Sequence, residues 1–243
     1  MNLILLEPDE IQVDGMAVLT GKRARHMREV LQAAEGEQIR VGVVDGPMGT
    51  ATVVEDGKEI SLKCALSDGI PSAPRVDLLL AMPRPKVMNR LWPVLTSLGV
   101  GRILISNAWK TERNYFDTHV LEPEHIRKGL IEGLQQARDT RLPQVSVHKQ
   151  FKKLIEDKLD GFGPYAARLV AHPGEGAFPS EKLAALPREA RVLLAVGPEG
   201  GWTPFELALL AAHGFESVSW GSRALRTDTA CAVLLGLVHA TLG

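Results

Sequence analysis

Two periodicities divide the chain. Up to residue 66 apolar and polar positions alternate. "QIRVGVVDG" and "GTATVVEDG" read as half-buried strands ending at Asp-Gly turns, and "EISLKCAL" alternates likewise. One stretch of helical spacing, residues 21–34 ("GKRARHMREVLQAA"), interrupts them. Residues 67–74, "SDGIPSAP", are a cluster of turn formers and read as a linker. Beyond it the pattern changes. "RVDLLLAM" is a continuous apolar run, as in a strand covered on both faces. A helical "VMNRLWPVLTSLGV", a strand "RILISNA", a helix "PEHIRKGLIEGLQQAR" and a short strand "QVSVH" follow. Then come a strand "AARLVAHP", a helix "SEKLAAL" and a strand "RVLLAV". Strands alternating with helices predict a parallel sheet with helices on both faces. The expected architecture is a small β domain over residues 1–70 joined to an α/β domain over 75–243.

The last of these strands runs into "VGPEGGWTPFE", residues 196–206. Gly197, Gly200 and Gly201 permit positive φ and leave bare backbone for a ligand to approach. "TPFE" predicts a capping box with Thr203 at the N-cap, Pro204 at the first helical position and Glu206 at the third. That helix is expected to stop at Gly214, after His213. A strand, a glycine turn and a capped helix at the carboxyl end of a parallel strand form the usual ligand-binding place of α/β proteins. The loop matches neither GxGxxG nor GxxxxGK[ST], and Glu199 within it would repel a phosphate. An ammonium or sulfonium suits it better. A second loop follows the strand "FESVSWG": "SRALRTDTA" carries Arg223 and Arg226, and Thr227 is expected to cap a final helix. Residues 228–242 of that helix are apolar nearly all round, so one face should pack on the sheet and another on a second copy, making a homodimer.

Composition narrows this picture. The 243 residues are 45% hydrophobic and 23% charged, enough for a sizeable core. Net charge is -1, but it is unevenly spread. Residues 1–74 hold 7 basic and 12 acidic side chains, residues 75–150 hold 12 and 7, and residues 151–243 hold 9 and 10. The middle third is therefore the segment suited to a polyanion. Cys64 and Cys231 stand far apart without metal-ligand spacing, so no metal site is expected, and thiols this sparse point to the cytosol. "MNLILLEPDE" lacks the basic start of a signal peptide, and no apolar run reaches a membrane span.

The two C-terminal loops, "VGPEGGWTPFE" and "WGSRALRTDTA", resemble the paired motifs of the 16S ribosomal RNA uridine N3-methyltransferases, a family of the SPOUT superfamily. "ARHMREVLQAAEGEQIRV", "KVMNRLWPVLTSLGVGRILI", "KTER" and "QQARDTRLPQV" are similar to further segments of that family, so the resemblance spans nearly the whole chain. It implies a PUA-like β-barrel domain followed by a SPOUT-type α/β domain with a C-terminal trefoil knot. It also implies S-adenosyl-L-methionine as methyl donor, a homodimer, and ribosomal RNA or the small ribosomal subunit as partner. Carried over residue by residue, Gly197, Glu199, Gly200 and Gly201 fall in one donor-binding loop, and Gly221, Leu225 and Arg226 in another. "VAHPGEG" resembles a third, which adds His172 and Pro173. The chain departs from the family at Gln32, Ser97, Arg138 and Asp139.

Uridine N3 carries a weakly acidic proton, so the developing negative charge needs stabilisation, and Arg226 is the expected catalytic group. Asp228, at the start of the final helix, reads as a partner of the helix dipole. For RNA, the candidates are Lys22, Arg25, His26 and Arg28 on one helix, with Arg113, Arg138 and Arg141 in the basic segment. A charge run of this kind is also the ordinary dress of a solvated helix. Trp109 reads as a core residue at a strand end. Three alternatives stay open at this point: a methyltransferase of the same superfamily acting on another base, a nucleotide-dependent oxidoreductase, and a non-catalytic RNA-binding or assembly factor. The oxidoreductase lacks its glycine fingerprint, and an assembly factor has no need of intact donor loops.

Overall fold

The structure, a computed structural model, describes residues 3–30, 32–174, 176–187 and 189–243. The chain forms two compact units, one of residues 1–73 with 131–142, the other of residues 74–130 with 143–243.

In the first unit, β1 (Ile4–Leu6), β2 (Met16–Leu19), β3 (Gln38–Val43), β4 (Met48–Asp56) and β5 (Ile60–Leu66) form one sheet in the order β1-β3-β4-β5-β2. β1 lies parallel to β3; the β3–β4, β4–β5 and β5–β2 pairs are antiparallel. Alternation drives the packing: Ile39, Val41, Ala51, Val53, Ile60 and Leu62 point into a buried cluster shared with Leu6, Leu19 and Met27. The β3–β4 turn runs through Asp45, which adopts a left-handed φ of 55°. Helix α1 (Gly21–Glu29) is shorter than its apolar spacing predicts. It ends at the β-branched Val30, and the Ala33 N–H closes the turn onto the Met27 carbonyl at 3.1 Å, with Gln32 in the left-handed region.

In the second unit, β6 (Val76–Ala81), β7 (Val100–Ser106), β8 (Gln144–His148), β9 (Ala167–Ala171), β10 (Val192–Val196) and β11 (Phe215–Val218) form a sheet in the order β11-β9-β10-β6-β7-β8. Every pairing is parallel, as the strand–helix alternation predicts. All six residues of β6 and all five of β10 are buried, which explains why both are apolar throughout save Asp77 in β6. Helices α2 (Pro85–Ser97) and α3 (Pro123–Ala137) follow β6 and β7 in the chain; from Ile131 onward α3 clusters with the first unit. Trp92 of α2 is fully buried and donates its indole N–H to the Val120 carbonyl at 3.0 Å.

A helical stretch that the periodicity reading passed over runs from α4 (Phe151–Lys153) through a π turn (Leu154–Lys158) and a 3-10 turn (Leu159–Phe162). Phe151, Leu154, Ile155 and Leu159 bury in the core against Leu79, Leu193 and Phe215. Three more helices complete the unit: α5 (Pro179–Leu183), α6 (Pro204–Ala212) and α7 (Thr227–Leu242).

At the amino ends of the strands sits a charge inside the core. Asp77 is fully buried and accepts hydrogen bonds from Arg191 at 2.6 Å and the Tyr165 hydroxyl at 2.7 Å, with Arg102 at 3.5 Å. Burial, reinforced by donation to Asp77, pushes the Tyr165 phenol up to about 12. Paired with two guanidiniums, the carboxylate is neutralised where an isolated one would be too costly to bury.

Candidate functional site

The carboxyl ends of β9, β10 and β11 carry three loops that enclose a cavity of about 220 Å³. Its walls include His172 and Pro173 after β9, residues 197–202 after β10, and Ser219 to Leu225 apart from Ser222 after β11. Ala230 and Leu234 of α7 close it. The folding logic is local at each loop. β10 ends where the apolar run ends, and α6 begins sharply at Thr203. The predicted capping box is present: the Glu206 N–H donates to Thr203 Oγ1 at 3.3 Å and the Thr203 N–H to Glu206 Oε2 at 2.8 Å. α6 stops as expected, with His213 at the C-cap and Gly214 at φ 80°.

The glycines divide the work differently from the sequence reading. In the β10 loop only Gly201 has a positive φ, of 70°; in the β11 loop Gly221 has one of 143°. Gly197 and Gly200 instead lie under close neighbours within the chain. A Cβ on Gly197 would lie 3.1 Å from the Trp202 indole nitrogen, and one on Gly200 only 2.8 Å from Lys110 Cδ. Lys110 lies across Gly200 and donates from Nζ to its carbonyl at 2.7 Å.

Two carboxylates tie this loop to its neighbours. Glu199 Oε1 accepts the Arg84 backbone N–H at 3.1 Å, joining the loop after β6. Glu206 is only 3% exposed, and its Oε1 accepts the Trp109 backbone N–H at 2.8 Å, joining the loop after β7. Trp109 itself is not a core residue: it is 84% exposed. Ala108 takes the buried position beside it, and the indole is left in solvent.

Of the residues singled out for the donor, His172, Pro173, Gly197, Glu199, Gly200, Gly201, Gly221 and Leu225 come together around the cavity. Arg226 does not line it. It occupies the N-cap position of α7, between the lining residues Leu225 and Thr227, with its side chain 76% exposed and Nε 3.8 Å from Asp228. Thr227 is thus the first helical residue rather than the cap, and it is buried. Asp228 also faces Arg90 at 3.4 Å and accepts the Thr229 N–H at 3.0 Å. Residues the sequence reading left out of the site also line the cavity. Trp202 and Trp220 are among them, and the signal was their place inside the two motifs. The Trp202 indole N–H is buried with no hydrogen-bond partner among the described residues.

The residues singled out for RNA are spread over both units. Lys22, Arg25 and His26 of α1 are exposed. Arg28 donates to the Gly57 carbonyl, so part of its donor capacity is spent inside the first unit. Arg138 is exposed at a left-handed φ of 58°, and Arg141 donates to the Pro71 carbonyl at 2.6 Å. Arg113 is exposed in the second unit. Among the described residues no helix is long and apolar enough to cross a membrane.

A parallel sheet with glycine-bordered loops enclosing a cavity at its carboxyl edge defines a ligand-binding α/β protein. Comparison with known proteins narrows that class. The chain belongs to the RNA methyltransferase domain family, whose model matches residues 71–239. It is 30% identical to the ribosomal RNA small subunit methyltransferase E of Treponema pallidum, over 99% of this chain and 92% of that protein. It is 26% identical to ribosomal RNA small subunit methyltransferase E 1 of Borreliella burgdorferi, covering 95% of this chain and 94% of the relative. Solved structures share the fold. A probable rRNA-methyltransferase from Porphyromonas gingivalis superposes with a TM-score of 0.77 at 24% identity, over 100% of this chain and 98% of its own. The ribosomal RNA small subunit methyltransferase E from Neisseria gonorrhoeae, bound to S-adenosyl methionine, gives 0.77 at 20%, over 99% and 97%.

Proposed function

We propose that this protein transfers a methyl group from S-adenosyl-L-methionine to N3 of a uridine in small-subunit ribosomal RNA. The observation that carries the reading is the convergence of eight motif residues from three separate loops on one cavity, in a chain of the RNA methyltransferase family. Relatives alignable over nearly the full length are small-subunit ribosomal RNA methyltransferases, which supports the substrate class.

The residues present fit such a donor. Gly201 and Gly221 expose backbone polar groups, Leu225 and Leu234 supply apolar wall, and the unpartnered Trp202 N–H is a spare donor beside Gly197. When bound, S-adenosyl-L-methionine supplies an electrophilic methyl group on a sulfonium. The chain's part is to hold that group and the base nitrogen close and in line, a large source of rate in such a displacement. Arg226, exposed at the head of α7 and flanked by two lining residues, is the group assigned to the negative charge left on the base as its N3 proton passes to water. Lys22, Arg25, His26, Arg28, Arg113, Arg138 and Arg141 are assigned to RNA phosphates.

Three finer features belong to the same reading: residues 1–70 as a PUA-like barrel, a methyltransferase domain over 75–243 ending in a trefoil knot, and a homodimer built on α7. The insertion of β10 between β6 and β9, both earlier in the chain, supports the knot. The half-buried Val233 and Leu237 on α7 support the dimer. Mass spectrometry of small-subunit ribosomal RNA from cells lacking the protein tests the reaction. One 3-methyluridine is expected to disappear and to return when purified protein and S-adenosyl-L-methionine are added to the unmodified subunits. Retention of every 3-methyluridine would refute this target.

A further inference from the structure

The most exposed aromatic side chain among the described residues stands next to the cavity and is not part of it. Trp109 is 84% exposed, and Phe205, at the start of α6, is 62% exposed. An indole left in water forgoes the burial that normally retains it, and a flat partner stacked on the 84%-exposed Trp109 would recover that area. The loop is firmly placed. The Trp109 N–H is held at 2.8 Å by the buried Glu206 carboxylate, and the next residue, Lys110, is pinned across Gly200 by its 2.7 Å bond to the carbonyl there. Since Gly200 lines the cavity, position 109 lies one residue from a side chain that rests on the cavity's own wall.

The surroundings are basic on balance. β7 pairs with β6; Lys110 and Arg113 follow β7 with the exposed Glu112 between them, Arg84 follows β6 and Lys86 lies in the first turn of α2, all four cations exposed. An exposed aromatic face among cations fits one chemistry well: an unstacked nucleobase whose flanking phosphates meet the lysines and arginines.

We propose that Trp109 is a stacking platform for an unpaired base of the substrate RNA, on the side of β10 facing β6 and β7, while the donor cavity lies at the ends of β9, β10 and β11. This rests on the RNA methyltransferase reading above and adds the residue that holds the acceptor strand against the glycine loop. Trp109 is a positioning residue: its indole fixes the base plane and takes no part in bond making.

The test compares wild-type protein with W109A and W109F. Fluorescence anisotropy measures binding of a labelled single-stranded, uridine-containing RNA oligonucleotide over a salt series, and calorimetry measures S-adenosyl-L-methionine affinity. W109A should bind the RNA about 5- to 150-fold more weakly, the range for loss of one base–aromatic stack. W109F, which keeps an aromatic face, should stay within about threefold of wild type. The salt slope should be the same in all three, because no ionic contact is removed. Donor affinity should not change. Unaltered RNA affinity in W109A, or equal loss in W109A and W109F, overturns the proposal. So does a change of oligomeric mass in W109A with RNA binding intact, which assigns the indole to a contact between copies. If the wild type binds no donor yet W109A still weakens RNA binding selectively, the methyltransferase reading falls and the platform stands.

Discussion

Replacing Glu206 with alanine should destabilise the second unit more than any exposed substitution near the cavity. The carboxylate is 3% exposed and accepts three hydrogen bonds at 2.8 Å: the Thr203 N–H and hydroxyl on Oε2, and the Trp109 N–H on Oε1. Hydrogen bonds to a charged acceptor contribute about 1.5–3 kcal/mol each, and removing the acceptor alone leaves the donors unsatisfied. Water can reach the donor on the exposed Trp109 loop, and the cost of desolvating the carboxylate is recovered. About 3 kcal/mol therefore remains as the net loss, of which about 1 kcal/mol is the helix cap. In a chain of this size that lowers Tm by about 6–12 °C in calorimetry. Glu206→Gln keeps one acceptor oxygen but turns an NH2 toward the other donor, so it should lose about half as much. Hydrogen exchange should accelerate at the first turn of α6 and at residues 109–111 together, since one side chain holds both. A Tm for Glu206→Ala within about 2 °C of wild type, or exchange rising at only one of the two places, would show that the carboxylate does not couple them.

Three further outcomes are expected. Arg226→Ala should lower kcat by about 10²–10³-fold while donor affinity stays within about threefold, because its interaction forms with the developing charge; equal losses in both would place it in donor binding instead. Burial, aided by the Arg75 charge, lowers the His239 pKa from 6.5, and burial likewise lowers that of His148. The unfolded chain thus takes up protons first: the stability these two provide is full above about pH 6.5 and fades as pH falls through their lowered folded values, so urea midpoints should drop between pH 7 and 5, and less steeply in His239→Gln. Burial, with the Asp228 charge adding to it, pushes the Cys231 thiol up to about 12, so a disulfide reagent at pH 8 should leave it unmodified in the native protein and reach both cysteines only after denaturation.

What was legible in the chain alone was whatever short-range chemistry decides. The Thr203–Glu206 capping box spans three residues and needs no tertiary partner, so the start of α6 could be read directly. The dominantly apolar runs of β6 and β10 announced strands buried on both faces, because a sheet covered on two sides tolerates them. Phe151, Leu154, Ile155 and Leu159 carried the same kind of signal for the helical stretch at 151–162, but the π and 3-10 turns within it break the regular period. Partners distant in sequence decided the rest. Trp109 ends a strand pattern and reads as core; its exposure depends on Ala108 taking the interior position and on the backbone tie to Glu206, 97 residues away. The glycines of the β10 loop look alike in sequence, yet one takes a positive φ while the other two lie close under the Trp202 ring and the Lys110 stem. Asp77 sits inside an apolar run and gives no sign of the arginines at positions 102 and 191 that permit its burial. Local pattern sets which backbone conformation a segment prefers. Which side chains meet at the carboxyl edge of the sheet is set by strand order, and strand order depends on contacts between segments that the linear pattern does not relate.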